Sequence, residues 1–433
     1  MPSVHAMEGL LPKYEPIQHV SSNPNLYVSA ENPLFKNYFA GPMVVEVIVS
    51  DPNTSQLNQV YGEPVVTVNG KRLRMAQGTD GNWYGYFADR NQAIAAANTA
   101  VLSGKGLNFG GFCNPSSTLS PNSGVDYSQT TGFTIARGGF GSLNHTNNLA
   151  LPSLVTLTPS NIPVCSNTPG TLTGGQMEHV VRENKTLNTN VDGFGANAVY
   201  QEIWPVIQLY DFSAIPTPVT VDYQAAGGDQ IVNLIFDRIP SNLIHVYADR
   251  PDFPPGSQVQ GDLIDPQLNI DPTDVDSWTW GTSPTNNTLY YMAFGENGKP
   301  DADGTVAMQN LIGNLSAFMF NHNGRLLEDA TPQGVVVGAL QSNGIQTLFP
   351  DNTLPPPFTG LMRTESINAF SIPITGRELE PNAGILSSYD DGGIADIVIL
   401  DNAPRDKSFT ITYNDVSYTI IVKFHDAKLT MGW

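Results

Sequence analysis

"PVVTVNGKRLRM", residues 64–75, sets the pair Asn69-Gly70 between two β-prone runs. Asn-Gly is the strongest short hairpin signal, because the turn that matches strand twist needs positive φ at both central residues. The stretch reads as two antiparallel strands, and its surroundings extend the pattern. "GPMVVEVIVSD" (41–51) before it and "GNWYGYFAD" (81–89) after it have strand composition. Farther on come "WPVIQLYDF" (204–212), then "PVTVDYQ" (218–224) and "QIVNLIF" (230–236) joined by the turn "AAGGD". "NLIHVYADRPDFPPGSQVQGDLID" (242–265) reads as strand, proline-rich turn, strand. A further set follows in "TLYYMAF" (288–294), "GVVVGAL" (334–340), "SINAFSIPI" (366–374), "ADIVILD" (395–401), "SFTITYN" (408–414) and "SYTIIVKF" (417–424).

The segment "NQAIAAANTAVL" (91–102) predicts a short helix, and "TVAMQNLIGNLSAFMF" (305–320) fits helix or strand. Many short strands with frequent turn signals mean an all-β protein of stacked β-sandwiches. The expected division is an extended N-terminal arm over 1–38, polar and proline-dotted, then sandwiches over 39–115, 116–242 and 243–433. Residues 103–175 read as loop. A faint internal echo supports repetition: "VVEVIVSDPNTSQLN" (44–58) and "QVQGDLIDPQLN" (258–269) both run strand, Asp-Pro, Leu-Asn.

Charge narrows the function. Acids outnumber bases 40 to 20 in 433 residues, a net charge of −20, which argues against binding a phosphate backbone. Only 14% of residues are charged, and 40 Gly and 33 Pro make the chain turn-rich, a profile of extracellular β proteins. The two cysteines, Cys113 and Cys165, flank the core of the loop region and suffice for one disulfide closing about fifty residues. Five sequons, at Asn53, Asn144, Asn184, Asn286 and Asn314, point to glycosylation outside the cytoplasm. The N-terminal residues lack the basic and apolar regions of a signal peptide, and no run of 18 apolar residues predicts a membrane span.

No hydrolase elbow, zinc-protease helix, phosphate loop or dinucleotide fingerprint occurs, and the seven histidines, His179 among them, lack ligand spacing. The expectation is that the protein is not an enzyme. The exception to this plainness is "IDPQLNIDPTDVDSWTW" (264–280), where Asp265, Asp271, Asp274 and Asp276 crowd together with no Lys or Arg. Neighbouring carboxylates raise one another's pKa unless something neutralises them. Hard divalent cations take carboxylate, amide and carbonyl oxygens, so Asp265, Asn269, Asp271, Asp274 and Asp276 are candidate calcium ligands. A second cluster, "ENGKPDADG" (296–304), adds Glu296, Asp301 and Asp303. Trp278 and Trp280 share a register and are expected to pack inward.

"GEPVVTVNGKRLRMAQGTDGNWYGYFAD", "VVRENKTLN", "WPVIQLYDF", "DPQLNIDPTDVDSWTWGT", "NGKPDADGTVAMQNLIGNLSAFMF" and "YTIIVKF" together resemble surface-layer proteins of ammonia-oxidising archaea and their relatives. The resemblance implies secreted, glycosylated, immunoglobulin-like domains that self-assemble into a coat on the cell and associate with cations. This chain is shorter than such coat proteins, which leaves lattice and filament both open. In a filament the arm would add a strand to the next subunit's sheet. Two other classes compete. A carbohydrate-binding or adhesion module predicts an exposed aromatic groove, with Trp83 or Tyr84 in it, and an enzyme predicts a deep pocket with perturbed carboxylates.

Overall fold

The computed structural model describes residues 23–58, 63–98, 204–214, 217–280, 374–388 and 397–424. It also describes shorter pieces within 107–188 and 290–340, and residue 395. Among the described residues the protein is all-β apart from one helix, Arg90–Asn98, and a few single 3-10 turns. Asn69 and Gly70 take φ 48° and 73° and close the hairpin of Val66–Val68 with Lys71–Leu73, as the Asn-Gly pair requires. The helix starts where Asp89 accepts the Gln92 amide at 2.8 Å, a side-chain cap on an otherwise unpaired donor.

Two facing sheets make the N-terminal unit. One has the order Leu26–Val28, Val45–Val49, Trp83–Asp89, Ile207–Tyr210, Leu149–Leu151, Gly111–Cys113, Cys165–Ser166, with Ala76–Gln77 beside Trp83–Asp89. The other runs Tyr38–Phe39, Gln230–Phe236, Val219–Tyr223, Val66–Val68, Lys71–Leu73. Alternation does the sorting: Val219, Val221 and Tyr223 are buried while Thr220 and Asp222 lie on the opposite face. Between the sheets Phe39, Phe87, Phe212 and Phe236 form an aromatic knot with ring centroids 5.0–6.1 Å apart. Each buried ring contributes roughly 1.5–3 kcal/mol by leaving water, with about 0.5–1.5 more from each well-oriented pair.

The C-terminal unit has three sheets among the described residues. Its large sheet runs His245–Ala248, Gly261–Ile264, Ile385–Ser387, Ile374–Glu378, Ser277–Trp280, Tyr290–Ala293, Met308–Leu311. A four-stranded sheet runs Asp252–Phe253, Val416–Val422, Ser408–Tyr413, Leu326–Asp329. It meets the large sheet through Tyr247 and Tyr418, 6.1 Å between rings, and through the side chain of Ile411 beneath Gly261. A three-stranded sheet, Gln258–Val259, Ile397–Ile399, Gly338–Leu340, packs on Phe409 so closely that a Cβ at Gly338 would lie 2.7 Å from its ring.

Three expectations need correction. The arm does not extend to residue 38: Leu26–Val28 is a strand with Leu26 and Val28 fully buried, and Phe39 sits in the aromatic knot. The boundary at 115/116 is absent, because Trp83–Asp89 pairs in parallel with Ile207–Tyr210 and Val66–Val68 pairs with Val219–Tyr223. The supposed loop 103–175 supplies Gly111–Cys113, Leu149–Leu151 and Cys165–Ser166 to the edge of the first sheet, and Val125–Ser128 with Gly132–Ile135 as a hairpin. Near 242, no ladder among the described residues crosses from before Ile239 to after it. The doubtful segment 305–320 contributes a strand, Met308–Leu311.

The units meet through apolar side chains of a shared core and through hydrogen bonds to backbone carbonyls. Val44 N–H donates to Ile270 O at 2.9 Å, and the Arg238 guanidinium to Phe320 O. At Gly41, φ is +57° and a Cβ would fall 2.2 Å from the Phe318 carbonyl oxygen. Gly41→Ala combines a left-handed backbone with that overlap, so a loss of about 2 kcal/mol or more is expected in urea unfolding. An unchanged midpoint would mean that the joint yields without cost.

Candidate functional site

The acidic stretch lies at this joint. It leaves strand Gly261–Ile264, makes a 3-10 turn over Pro266–Leu268, reverses, and enters strand Ser277–Trp280. Asp265, Asp271 and Asp276 are all fully buried, and Glu378 beside them is 1% exposed.

The neutralising partners found for these acids are hydrogen-bond donors of the fold itself. Asp265 Oδ1 accepts the Gln267 amide N–H at 3.0 Å and its side-chain Nε2 at 3.2 Å, while Oδ2 accepts the Tyr413 hydroxyl at 2.7 Å. Asp271 Oδ1 accepts the N–H and the hydroxyl of Thr273 at 2.9 and 2.7 Å. Asp276 Oδ2 accepts two successive amides, of Ile270 and Asp271. Glu378 takes the Asp276 N–H on one oxygen at 3.1 Å and the Gly384 N–H on the other at 2.7 Å. Each donor stabilises the charged form, and burial opposes it. At Asp265 burial is the larger effect and pushes the carboxyl up to about 6, against the bonds from Tyr413 and Gln267.

The expected calcium ligands therefore do not converge. Asp265, Asp271 and Asp276 turn their oxygens to separate backbone amides, Asp274 accepts its neighbour Val275's N–H, and Asn269 bonds Asn382. Among the described residues no group of three or more His, Cys, Asp or Glu side chains is disposed to hold a metal ion. The second cluster, Glu296, Asp301 and Asp303, lies outside the described residues, as does His179.

A sequence signal for this role was present in the Asp-Pro pairs. Asp265-Pro266 and Asp271-Pro272 each place an aspartate oxygen on the amide two residues on, the short turn that Asp favours. Asp51-Pro52 does the same, accepting Asn53 N–H at 2.9 Å, and its second oxygen accepts the Tyr223 hydroxyl at 2.7 Å. So each unit carries one clamp of the same chemistry. An Asp-Pro turn at the end of a strand in the larger sheet is tied to a tyrosine at the end of a strand in the facing sheet: Asp51 to Tyr223, Asp265 to Tyr413. The echo between 44–58 and 258–269 is this clamp.

Trp278 packs inward as expected, 1% exposed, with its indole N–H on Leu268 O at 2.8 Å. Trp83 and Tyr84 are 7% and 3% exposed, so they form no open aromatic groove. Asn53 is exposed at its sequon, although its side-chain amide also donates to Asp51, and Asn144, Asn184, Asn286 and Asn314 lie outside the described residues. Cys113 and Cys165 are register partners on adjacent antiparallel strands. No helix among the described residues is long and apolar enough to cross a membrane. Comparison of the chain with known protein families and with characterised proteins finds no match.

Proposed function

We propose that the protein is a structural, non-enzymatic subunit that polymerises outside the cell into a lattice or filament on the cell surface, built from immunoglobulin-like sandwiches. The observation that carries this reading is where the buried acids point. Asp265, Asp271, Asp276 and Glu378 bind backbone amides of the loop that meets the N-terminal unit at Ile270, rather than lining a pocket. Carboxylates so used stiffen that loop, which suits a load-bearing subunit. The acidic surface, the exposed sequon at Asn53 and the opposed cysteines agree with an extracellular, glycosylated, disulfide-linked chain. Calcium enters the proposal through Glu296, Asp301 and Asp303 alone.

The arm of the proposal is now residues 1–22, which precede Asn23 at the strand Gln230–Phe236, where Asn23 donates to Ile231 O at 3.1 Å. Deleting 1–38 would remove the buried Leu26 and Val28 and so test folding instead of assembly. Negative-stain microscopy of the full chain and of a 1–22 deletion, each with millimolar calcium and with chelator, is the test. Ordered polymer from the full chain and folded monomers from the deletion are expected. Polymer from both would remove the arm from the mechanism. Full-length protein that stays monomeric in all conditions would overturn the assembly reading and favour a binding module.

A further inference from the structure

A small cavity lies between the N-terminal segment and the acidic loop, bounded by Ser29, Asn32 and Phe35 on one side and by Pro266, Asn269 and Asn382 on the other. Asn269 is 7% exposed, and its Oδ1 is fully buried without a hydrogen-bond partner. Its Nδ2 donates to Asn382 Oδ1 at 2.7 Å.

Turning the Asn269 amide over does not satisfy that oxygen. Asn382 Nδ2 donates to the Ser29 carbonyl at 2.9 Å, and a carbonyl can only accept. Asn382 must therefore present its oxygen to Asn269, and Asn269 must answer with its NH2. Flipping both amides would set Asn382 Oδ1 against Ser29 O, two acceptors in contact. The orphan oxygen is thus fixed by the network, and a buried acceptor left unpaired is costly enough that native proteins rarely keep one.

We propose that this cavity is a built-in site for one water molecule that donates to Asn269 Oδ1 and bridges the two units. The cavity measures about 20 Å³, above the roughly 10–15 Å³ that one water needs. Among the lining residues, Ser29 Oγ accepts the Glu46 N–H and Asn32 Oδ1 the Leu34 N–H, each at 2.9 Å, and each oxygen has a second lone pair for the water's remaining hydrogen. None of the lining residues is a carboxylate, so the site lacks the charge that would favour a cation over water. The inference does not depend on polymerisation. It makes the joint a wet one, held by a solvent molecule in addition to the direct Asn382–Ser29 and Val44–Ile270 bonds.

The test is a high-resolution crystal structure of the full chain, with a parallel crystal soaked in thallous ion. A single oxygen-sized peak about 2.7–3.2 Å from Asn269 Oδ1 is expected, with no anomalous signal at that place. An empty cavity overturns the proposal, and an anomalous peak there replaces water with a monovalent cation. In solution, oxygen-17 relaxation dispersion counts long-lived buried waters. Asn269→Leu, folded by circular dichroism, is expected to lose one of them relative to the wild type. An equal count would overturn the proposal.

Discussion

Reduction of the protein is expected to lower its unfolding free energy by about 4 kcal/mol, through loss of the Cys113–Cys165 bridge that we propose. The two residues are direct partners in an antiparallel ladder, Cys165 opposite Cys113 and Ser166 opposite Phe112. Such partners have Cα atoms roughly 4.5–5.5 Å apart, within the roughly 4.4–6.8 Å that a disulfide spans. The cysteines stand at positions 113 and 165, so the closed loop is long and its entropy in the unfolded chain substantial. The strand Gly111–Cys113 is also hydrogen-bonded to Leu149–Leu151, which adjoins Ile207–Tyr210. A bridge there would tie the edge strand Cys165–Ser166 to its neighbour in the sheet. Urea unfolding with and without dithiothreitol measures the effect, and Cys113→Ser with Cys165→Ser should remove the reductant dependence. Two thiols titrating in the unfolded, unreduced protein would end the idea.

The parts of the fold legible in the sequence are those that one local rule decides. Asn69-Gly70 could close only a tight hairpin, and the alternation in 219–223 could bury only one face. The pairing of Trp83–Asp89 with Ile207–Tyr210 has no such local mark, since partners far apart in the chain are chosen by tertiary packing. Leu26–Val28 was hidden by its length, three residues between Pro24 and polar neighbours, although Leu26 and Val28 alternate around Tyr27 as a half-buried strand should. The acidic stretch shows a different limit. Clustered aspartates look like a cation site when counted as charges, yet Asp265 and Asp271 stand before prolines, where an aspartate more readily folds its carboxylate onto the amide two residues ahead. What no sequence rule could supply is the second partner, Tyr413, which lies 148 residues from Asp265.

That second partner leads to the other large effect, a dependence of stability on pH that Asp265→Asn should reduce. Burial raises the folded-state pKa of Asp265 to about 6, whereas in the unfolded chain it returns to about 3.9. The folded protein therefore holds this proton more tightly than the unfolded one. Stability from this group is complete below pH 4, declines as pH rises, and is lost above pH 6. At about 1.36 kcal/mol per unit, the decline from pH 4 to pH 7.5 is roughly 2 kcal/mol, because the unfolded carboxyl is already half ionised at pH 4. Asp89, Asp249 and Asp262, also raised by burial, push the same way, so the wild-type curve alone cannot isolate Asp265. The difference between wild type and Asp265→Asn can, because those groups are common to both. Asparagine keeps an oxygen for the Gln267 amide and offers its NH2 to the Tyr413 hydroxyl, which can accept as well as donate. The variant is expected to gain on the wild type by about 2 kcal/mol between pH 4 and pH 7.5 in urea unfolding. Parallel curves would show that the Tyr413 and Gln267 bonds hold the carboxyl down as firmly as burial lifts it, leaving the clamp indifferent to pH.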